Sequence, residues 1–201
     1  MSLLVETIRI DNGKLLNIQF HNERMSRTLY YIYGIKIDAD LEKTIEVPPE
    51  ASKGICKCRV LYDDKSVTME FIPYVIRQIR SLKIIHSDIC YPYKYVFRDK
   101  INALFDLRGE CDDILIVKYG KLTDSSYSNV ILKDMEGNWK TPATYLLPGT
   151  RRASLLKSGL IEEADIPLSE LSGYSELKLI NAMIGIEDTE GIPVENIING
   201  L

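Results

Sequence analysis

Hydrophobic and polar positions alternate from the start of the chain, and the alternation through residues 3–10 predicts a strand. Asn12-Gly13 follows as a two-residue hairpin signal, and residues 14–18 alternate as the partner strand. From Phe20 the period lengthens: Met25, Leu29 and Ile32 recur at helical spacing, with Asn22 placed to cap the helix and Gly34 to stop it. Pro48 and Pro49 mark residues 46–53 as a loop. Residues 55–62 and 66–72, rich in β-branched side chains and joined by Asp63-Asp64, predict a second hairpin. Residues 74–85 continue as a strand, and 87–92 break the pattern, which puts a domain boundary at about residue 86.

Beyond that boundary Phe97, Ile101, Leu104 and Phe105 form an apolar stripe at helical spacing that ends at Gly109. Residues 112–118 read as a buried strand, Tyr119-Gly120 turns the chain, and residues 122–134 read as a second strand with a polar centre. Pro148-Gly149 introduces a helix over about 150–157, and a last strand over 176–184 precedes a polar tail. Strands and helices mix without a repeating βαβ order, so the expected class is α+β, with one domain over residues 1–86 and another over 87–201.

Composition narrows the function classes. The 201 residues carry 25 Lys+Arg against 29 Asp+Glu, a net charge of −4, which excludes a strongly basic nucleic-acid binder. With 45% hydrophobic and 27% charged residues the chain can bury a core, and no apolar run is long enough to span a membrane. No signal-peptide pattern opens the sequence, so a cytoplasmic location is expected. Cys56, Cys58, Cys90 and Cys111 are too scattered for a disulfide scaffold, and neither His21 nor His86 stands at a zinc-ligand spacing from them. Cys56 and Cys58 share one face of a strand as small buried residues, and no metal site is expected.

Three local features are unusual for plain structure. Leu147-Pro148-Gly149-Thr150-Arg151-Arg152 is a tight turn opening a helix, where backbone N–H groups, the helix dipole and two arginines suit a phosphate; ordinary helix punctuation gives the same pattern. The hydroxyl-rich run from Thr123 to Asn129 lies between apolar strands and suits either a pocket for a polar ligand or a serine-rich surface loop. Lys94, in Tyr91-Pro92-Tyr93-Lys94-Tyr95, is either a solvated lysine or one desolvated by its aromatic flanks, and desolvation makes the free amine usable as a nucleophile or base.

In chain order these features resemble the class IV (fold type IV) pyridoxal-phosphate enzymes, the group that includes 4-amino-4-deoxychorismate lyase, branched-chain aminotransferase and D-amino-acid aminotransferase. The likeness runs from about Glu6 to about Met183. It is carried by Glu6-Thr-Ile-Arg9 with Asn12-Gly13, by His21-Asn-Glu-Arg24-Met25, by Lys94 with Arg98 four residues on, by Leu122-Thr-Asp124-Ser-Ser-Tyr-Ser-Asn129-Val130, and by the Pro-Gly turn ahead of Arg151-Arg152. The resemblance implies a two-domain fold like that of D-amino-acid aminotransferase, with a small N-terminal α/β domain and a larger pseudo-barrel C-terminal domain. It also implies pyridoxal 5'-phosphate as cofactor and a homodimer acting on a small amino-acid-like substrate, with no part for nucleic acid or membrane.

The same resemblance assigns roles. Lys94 matches the lysine that bonds covalently to the cofactor and then moves protons at the substrate. Arg24 matches the arginine paired with the cofactor phosphate, joined by backbone N–H groups at Thr150 and Arg151. Asp124 stands where the family has a glutamate facing the pyridine nitrogen, a replacement that shortens the reach by one methylene but keeps the charge. Ser128 and Asn129 match positions near the cofactor ring and phosphate, and Arg9 is a candidate for substrate. Thr150-Arg151 replaces the family's common Ile-Thr, which removes the hydroxyl at the second position and leaves the backbone donors. The family also has a segment ahead of the opening hairpin that is missing here, so some substrate contacts are expected to come from elsewhere.

The function implied first is a lyase that converts 4-amino-4-deoxychorismate to 4-aminobenzoate and pyruvate in folate synthesis. An aminotransferase for branched-chain or D-amino acids shares every cofactor residue and is the second expectation. A shortened, non-catalytic relative is the third.

Overall fold

A computed structural model describes residues 3–199, and the chain divides into two units. One comprises Met1–Ile76 with Tyr93–Phe97, the other Arg77–Pro92 with Arg98–Leu201. Residues 1–2 and 200–201, the extremes of the two expected domains, lie outside the described residues.

The first unit starts with β1 (Leu4–Asp11) and β2 (Lys14–Leu15), joined as the sequence predicts. Asn12 and Gly13 both have positive φ, 48° and 80°, the left-handed pair that a two-residue hairpin needs. Then come α1 (Ile18–Tyr33), a single turn α2 (Leu41–Thr44), β3 (Ile55–Tyr62) and β4 (Val67–Pro73). The strands form an antiparallel sheet in the order β2-β1-β3-β4.

Helix α1 starts earlier than its apolar stripe suggests. Its N-cap position is Asn17, while Asn22, the expected cap, lies inside the helix and accepts the Leu41 N–H at 2.9 Å. The end is as expected: Gly34 N–H donates to Tyr30 and Ile35 N–H to Leu29, the paired bonds of a glycine-terminated helix. Leu4, Ile8 and Ile10 of β1 share a core with Met25 and Leu29 of α1 and with Cys56, Cys58, Val60 and Tyr62 of β3. The two cysteines are therefore core residues, and burial pushes the Cys58 thiol up to about 12, which keeps it protonated.

The second unit contains β5 (Leu82–His86), α3 (Asp99–Asp106), β6 (Asp113–Lys118), β7 (Lys121–Ser125), β8 (Asn129–Asp134), β9 (Trp139–Pro142), α4 (Thr150–Lys157), β10 (Glu162–Ala164), β11 (Tyr174–Ile180), β12 (Ile192–Pro193) and β13 (Ile197–Asn199). These strands join in one sheet in the order β10-β9-β8-β7-β6-β5-β13, and β11 adds to β8 and carries β12. β5, which lies before the boundary expected at residue 86, is hydrogen-bonded within this sheet.

Four local expectations change. Residues 74–81 form no strand; the Arg80 N–H goes to the Asp112 carboxylate at 2.8 Å instead of into a ladder. Residues 122–134 are two strands, because the chain reverses over Ser125–Ser128 on a Ser125 N–H to Ser128 carbonyl bond of 2.8 Å. The last long strand stops at Ile180, where Asn181 and Ile184 close a turn. The polar tail supplies β13, parallel to β5. β5 and β6 are also parallel, with α3 in the crossover, and β9 and β10 are parallel with α4 between them, so the α+β fold contains two βαβ connections among the described residues.

Candidate active site

In the first unit the buried stripe of α1 is half polar. Phe20, Met25 and Leu29 alternate along it with His21, Arg24 and Thr28, and all six are buried. Opposite them Glu6 occupies the helix-facing parity of β1, in phase with Leu4, Ile8 and Ile10. Glu6 and His21 are 0% exposed. Arg24 donates from Nε to Glu6 Oε1 at 2.8 Å and from Nη2 to Oε2 at 2.6 Å, and His21 Nδ1 lies 2.5 Å from Oε2.

Burial alone would raise the Glu6 carboxyl. The Arg24 charge and the hydrogen bonds from His21 and Arg24 override it and hold the group down to about 2. Burial lowers His21, with Arg24 and Lys94 pushing the same way against Glu6, so the ring is neutral with its Nδ1–H donating. A carboxyl held below its unfolded value contributes stability that is complete above about 4.5 and lost as pH falls toward about 2. Acid unfolding followed by circular dichroism should therefore show a loss across this window that is absent in Glu6→Gln.

Lys94 lies on a segment stitched to the edge of β1 that β3 leaves open. Val5 N–H donates to the Lys94 carbonyl and Val96 N–H to the Leu3 carbonyl, both at 2.9 Å, with Leu4 and Tyr95 bridged. Tyr93 and Tyr95 pack against the core of this unit, and Lys94 is half-buried between them. The aromatic flanks are thus anchors for the lysine backbone. Arg9 sits on the opposite face of β1 from Glu6, side chain 12% exposed, paired with Asp11 at 2.9 Å.

In the second unit Asp124 and Asn129 face each other across the β7–β8 turn. Asp124 is fully buried: Oδ1 accepts from Asn129 Nδ2 at 2.9 Å, and Oδ2 accepts the N–H groups of Leu146 and Leu147 at 2.9 and 3.0 Å. Burial raises its carboxyl to about 6 against those bonds and the Arg152 charge. Among the described residues it has no ion-pair partner, so a cationic ring N–H fits its chemistry.

Asn129 also donates to the Leu147 carbonyl at 2.9 Å, and its Oδ1 lies 1.8 Å from where a Cβ on residue 149 would stand. Only glycine fits at 149. Gly149→Ala should cost roughly 1–3 kcal/mol by forcing Asn129 off Asp124, measured as a lower melting temperature together with weaker cofactor binding.

Ser128 Oγ accepts from Asn181 Nδ2 at 2.9 Å, and Asn181 Oδ1 accepts the N–H groups of Met183 and Ile184 at 2.8 and 3.1 Å. The β7–β8 turn thereby fixes both the 146–149 turn and the 181–184 turn. Asn181 was not singled out in the sequence, although an asparagine ending an apolar strand is a turn signal. Arg98, four residues after Lys94, occupies the N-cap position of α3 without a side-chain cap bond, stacks on Tyr127 at 3.8 Å and donates from Nη2 to the Ser126 carbonyl.

Helix α4 begins at Thr150, as the Pro-Gly signal predicts, with no side-chain cap and no acid in its first turn. Thr150 is buried at its start. Arg151 lies against Gly185, and its Nε is buried with no partner among the described residues. An orphaned guanidinium nitrogen beside a helix N-terminus fits an anionic group. Arg152 does not converge there: it bonds Thr141 Oγ1, the Pro142 carbonyl and Glu163, and stacks on Tyr145 at 4.4 Å.

Known proteins of similar fold include the branched-chain amino acid aminotransferase of Escherichia coli, at a TM-score of 0.69 and 15% identity, covering 98% of this chain and 80% of that one. This is the fold type IV class. The profile of the class IV amino-transferase family matches residues 94–189. An uncharacterized protein of Haemophilus influenzae is 38% identical over 91% of this chain and 98% of its own length. A crystal structure of a proposed 4-amino-4-deoxychorismate lyase from Haemophilus somnus is 34% identical, with a TM-score of 0.87, covering 92% of this chain and 98% of that one. Yeast aminodeoxychorismate lyase is 30% identical over 92% of this chain, which spans 58% of the yeast protein. The chain belongs to the class IV aminotransferase family, and it is a pyridoxal-phosphate-dependent enzyme. No helix among the described residues is long and apolar enough to cross a membrane.

Proposed function

We propose that the protein binds pyridoxal 5'-phosphate and converts 4-amino-4-deoxychorismate to 4-aminobenzoate and pyruvate, a step of folate synthesis. The likeness to the Haemophilus somnus protein, 34% identical over nearly the whole of both chains, carries this reading. The lyase name of the yeast relative supports it.

When bound, the cofactor supplies an electron-withdrawing ring that spreads the electron pair left at the carbon bearing the substrate amine. Lys94 takes the proton from that carbon and can return it to the departing three-carbon fragment, so the reaction consumes no other reactant. Asp124, as a carboxylate, holds a proton on the ring nitrogen, while Asn129 and the Leu146 and Leu147 amides fix its plane. Arg24, the start of α4 at Thr150 and Arg151, and Ser128 bind and orient the phosphate end. Arg9 holds a substrate carboxylate. The expected assembly is a cytoplasmic homodimer, which sedimentation of the purified protein would test.

Incubating the holoprotein with aminodeoxychorismate should release 4-aminobenzoate and pyruvate in equal amounts. No product, together with conversion of the cofactor to its amine form by an amino acid alone, would instead make the protein an aminotransferase.

A further inference from the structure

Among the helix-facing residues of β1, three are aliphatic and the fourth is Glu6. An apolar side chain there would complete the core without desolvating a charge, and buried ion pairs are commonly replaceable by apolar residues at no loss of stability. The carboxylate instead meets two groups one helical turn apart on α1. It takes the Nε and Nη2 edge of Arg24 with two bonds and accepts a third from His21. A guanidinium held by one edge in this planar fork has its other edge fixed in direction.

We propose that Glu6 and His21 are positioning residues for the cofactor phosphate: Glu6 clamps one edge of Arg24, His21 clamps Glu6, and the guanidinium is thereby presented in a single orientation. This rests on the reading that Arg24 binds that phosphate. Neither residue touches the phosphate in this arrangement; both act through Arg24. The network has a second effect. Glu6 balances the Arg24 charge within a buried patch that neighbours Lys94, whose carbonyl accepts the Val5 N–H one residue before Glu6. His21, being neutral, adds no further cation beside that amine.

The test compares binding of pyridoxal phosphate with binding of pyridoxal, which lacks the phosphate, by titrating the apoprotein and reading visible absorption. In wild type the phosphate should confer a large preference. Glu6→Gln should weaken pyridoxal phosphate roughly 10- to 100-fold, in line with other residues that orient a ligating group, while pyridoxal binding stays nearly constant. His21→Leu should act in the same direction, and His21→Asn, which keeps a donor near the Nδ1 position, should restore most of the preference. In an Arg24→Ala background Glu6→Gln should have no further effect on the preference.

A merely structural role would weaken both ligands equally, and that result would overturn the inference. So would an unchanged preference in the variants. If Glu6→Gln does not fold, the His21 pair decides. Wild type that binds pyridoxal phosphate with no preference over pyridoxal would refute the role of Arg24, and failure to bind either compound would refute the cofactor assignment itself.

Discussion

Lys94→Ala should abolish the visible absorption that borohydride fixes in the wild-type holoprotein and lower turnover by roughly four orders of magnitude, the upper range for loss of a group that moves protons. The backbone around residue 94 should not change, because Val5 and Val96 hold it by main-chain bonds and Tyr93 and Tyr95 anchor it in the core. A melting temperature within a few degrees of wild type would therefore accompany the loss. Retention of substantial turnover in the alanine variant would remove Lys94 from the chemistry.

Asp124→Asn should cut turnover roughly 10²- to 10³-fold, the usual cost of removing one preorganised charge partner, while leaving cofactor attached to Lys94. The carboxylate is the group that can keep a proton on the ring nitrogen; a neutral amide cannot. The pH behaviour of the cofactor-free protein gives a second readout. The folded value of about 6 lies above the unfolded 3.8, so this group's contribution is full at low pH and is lost as pH rises through about 6. Keeping the carboxylate ionised above that pH costs roughly 3 kcal/mol. The cofactor-free protein should lose stability on this account between about pH 4 and 7, and the holoprotein should lose less, since a cationic ring partner lowers the carboxyl again. Equal pH dependence with and without cofactor would count against the pairing.

These residues were unequally legible in the sequence. The Asn12-Gly13 hairpin and the helix opening at Thr150 rest on backbone preferences that a dipeptide already carries, and both appear where expected. The reversal over Ser125–Ser128 has neither glycine nor proline; it is made by Ser125, whose hydroxyl accepts the Ser128 N–H at 3.1 Å, so the segment looked like one long strand. Arg152 shows the opposite limit. Its place beside Arg151 suggested a shared anion, but successive helical residues diverge by 100°, and only the β9 and β10 carbonyl and carboxylate groups explain where it goes. Lys94 and the polar run that holds Asp124 stand out locally, but their roles, and Arg24 altogether, rest on likeness to a family, while Glu6 and His21 belong to the same motifs without a role. Their signal was a carboxylate in the phase of an apolar strand face and a histidine and arginine in the phase of an apolar helix stripe.

The attachment of residues 93–97 to β1 also bears on motion. Two main-chain bonds make the α-carbon of Lys94 a fixed pivot at the base of its four-carbon stem. On the role proposed for Lys94, proton transfer would leave that pivot in place, and the Val5 and Val96 amides should exchange with solvent as slowly as the core of their unit throughout turnover.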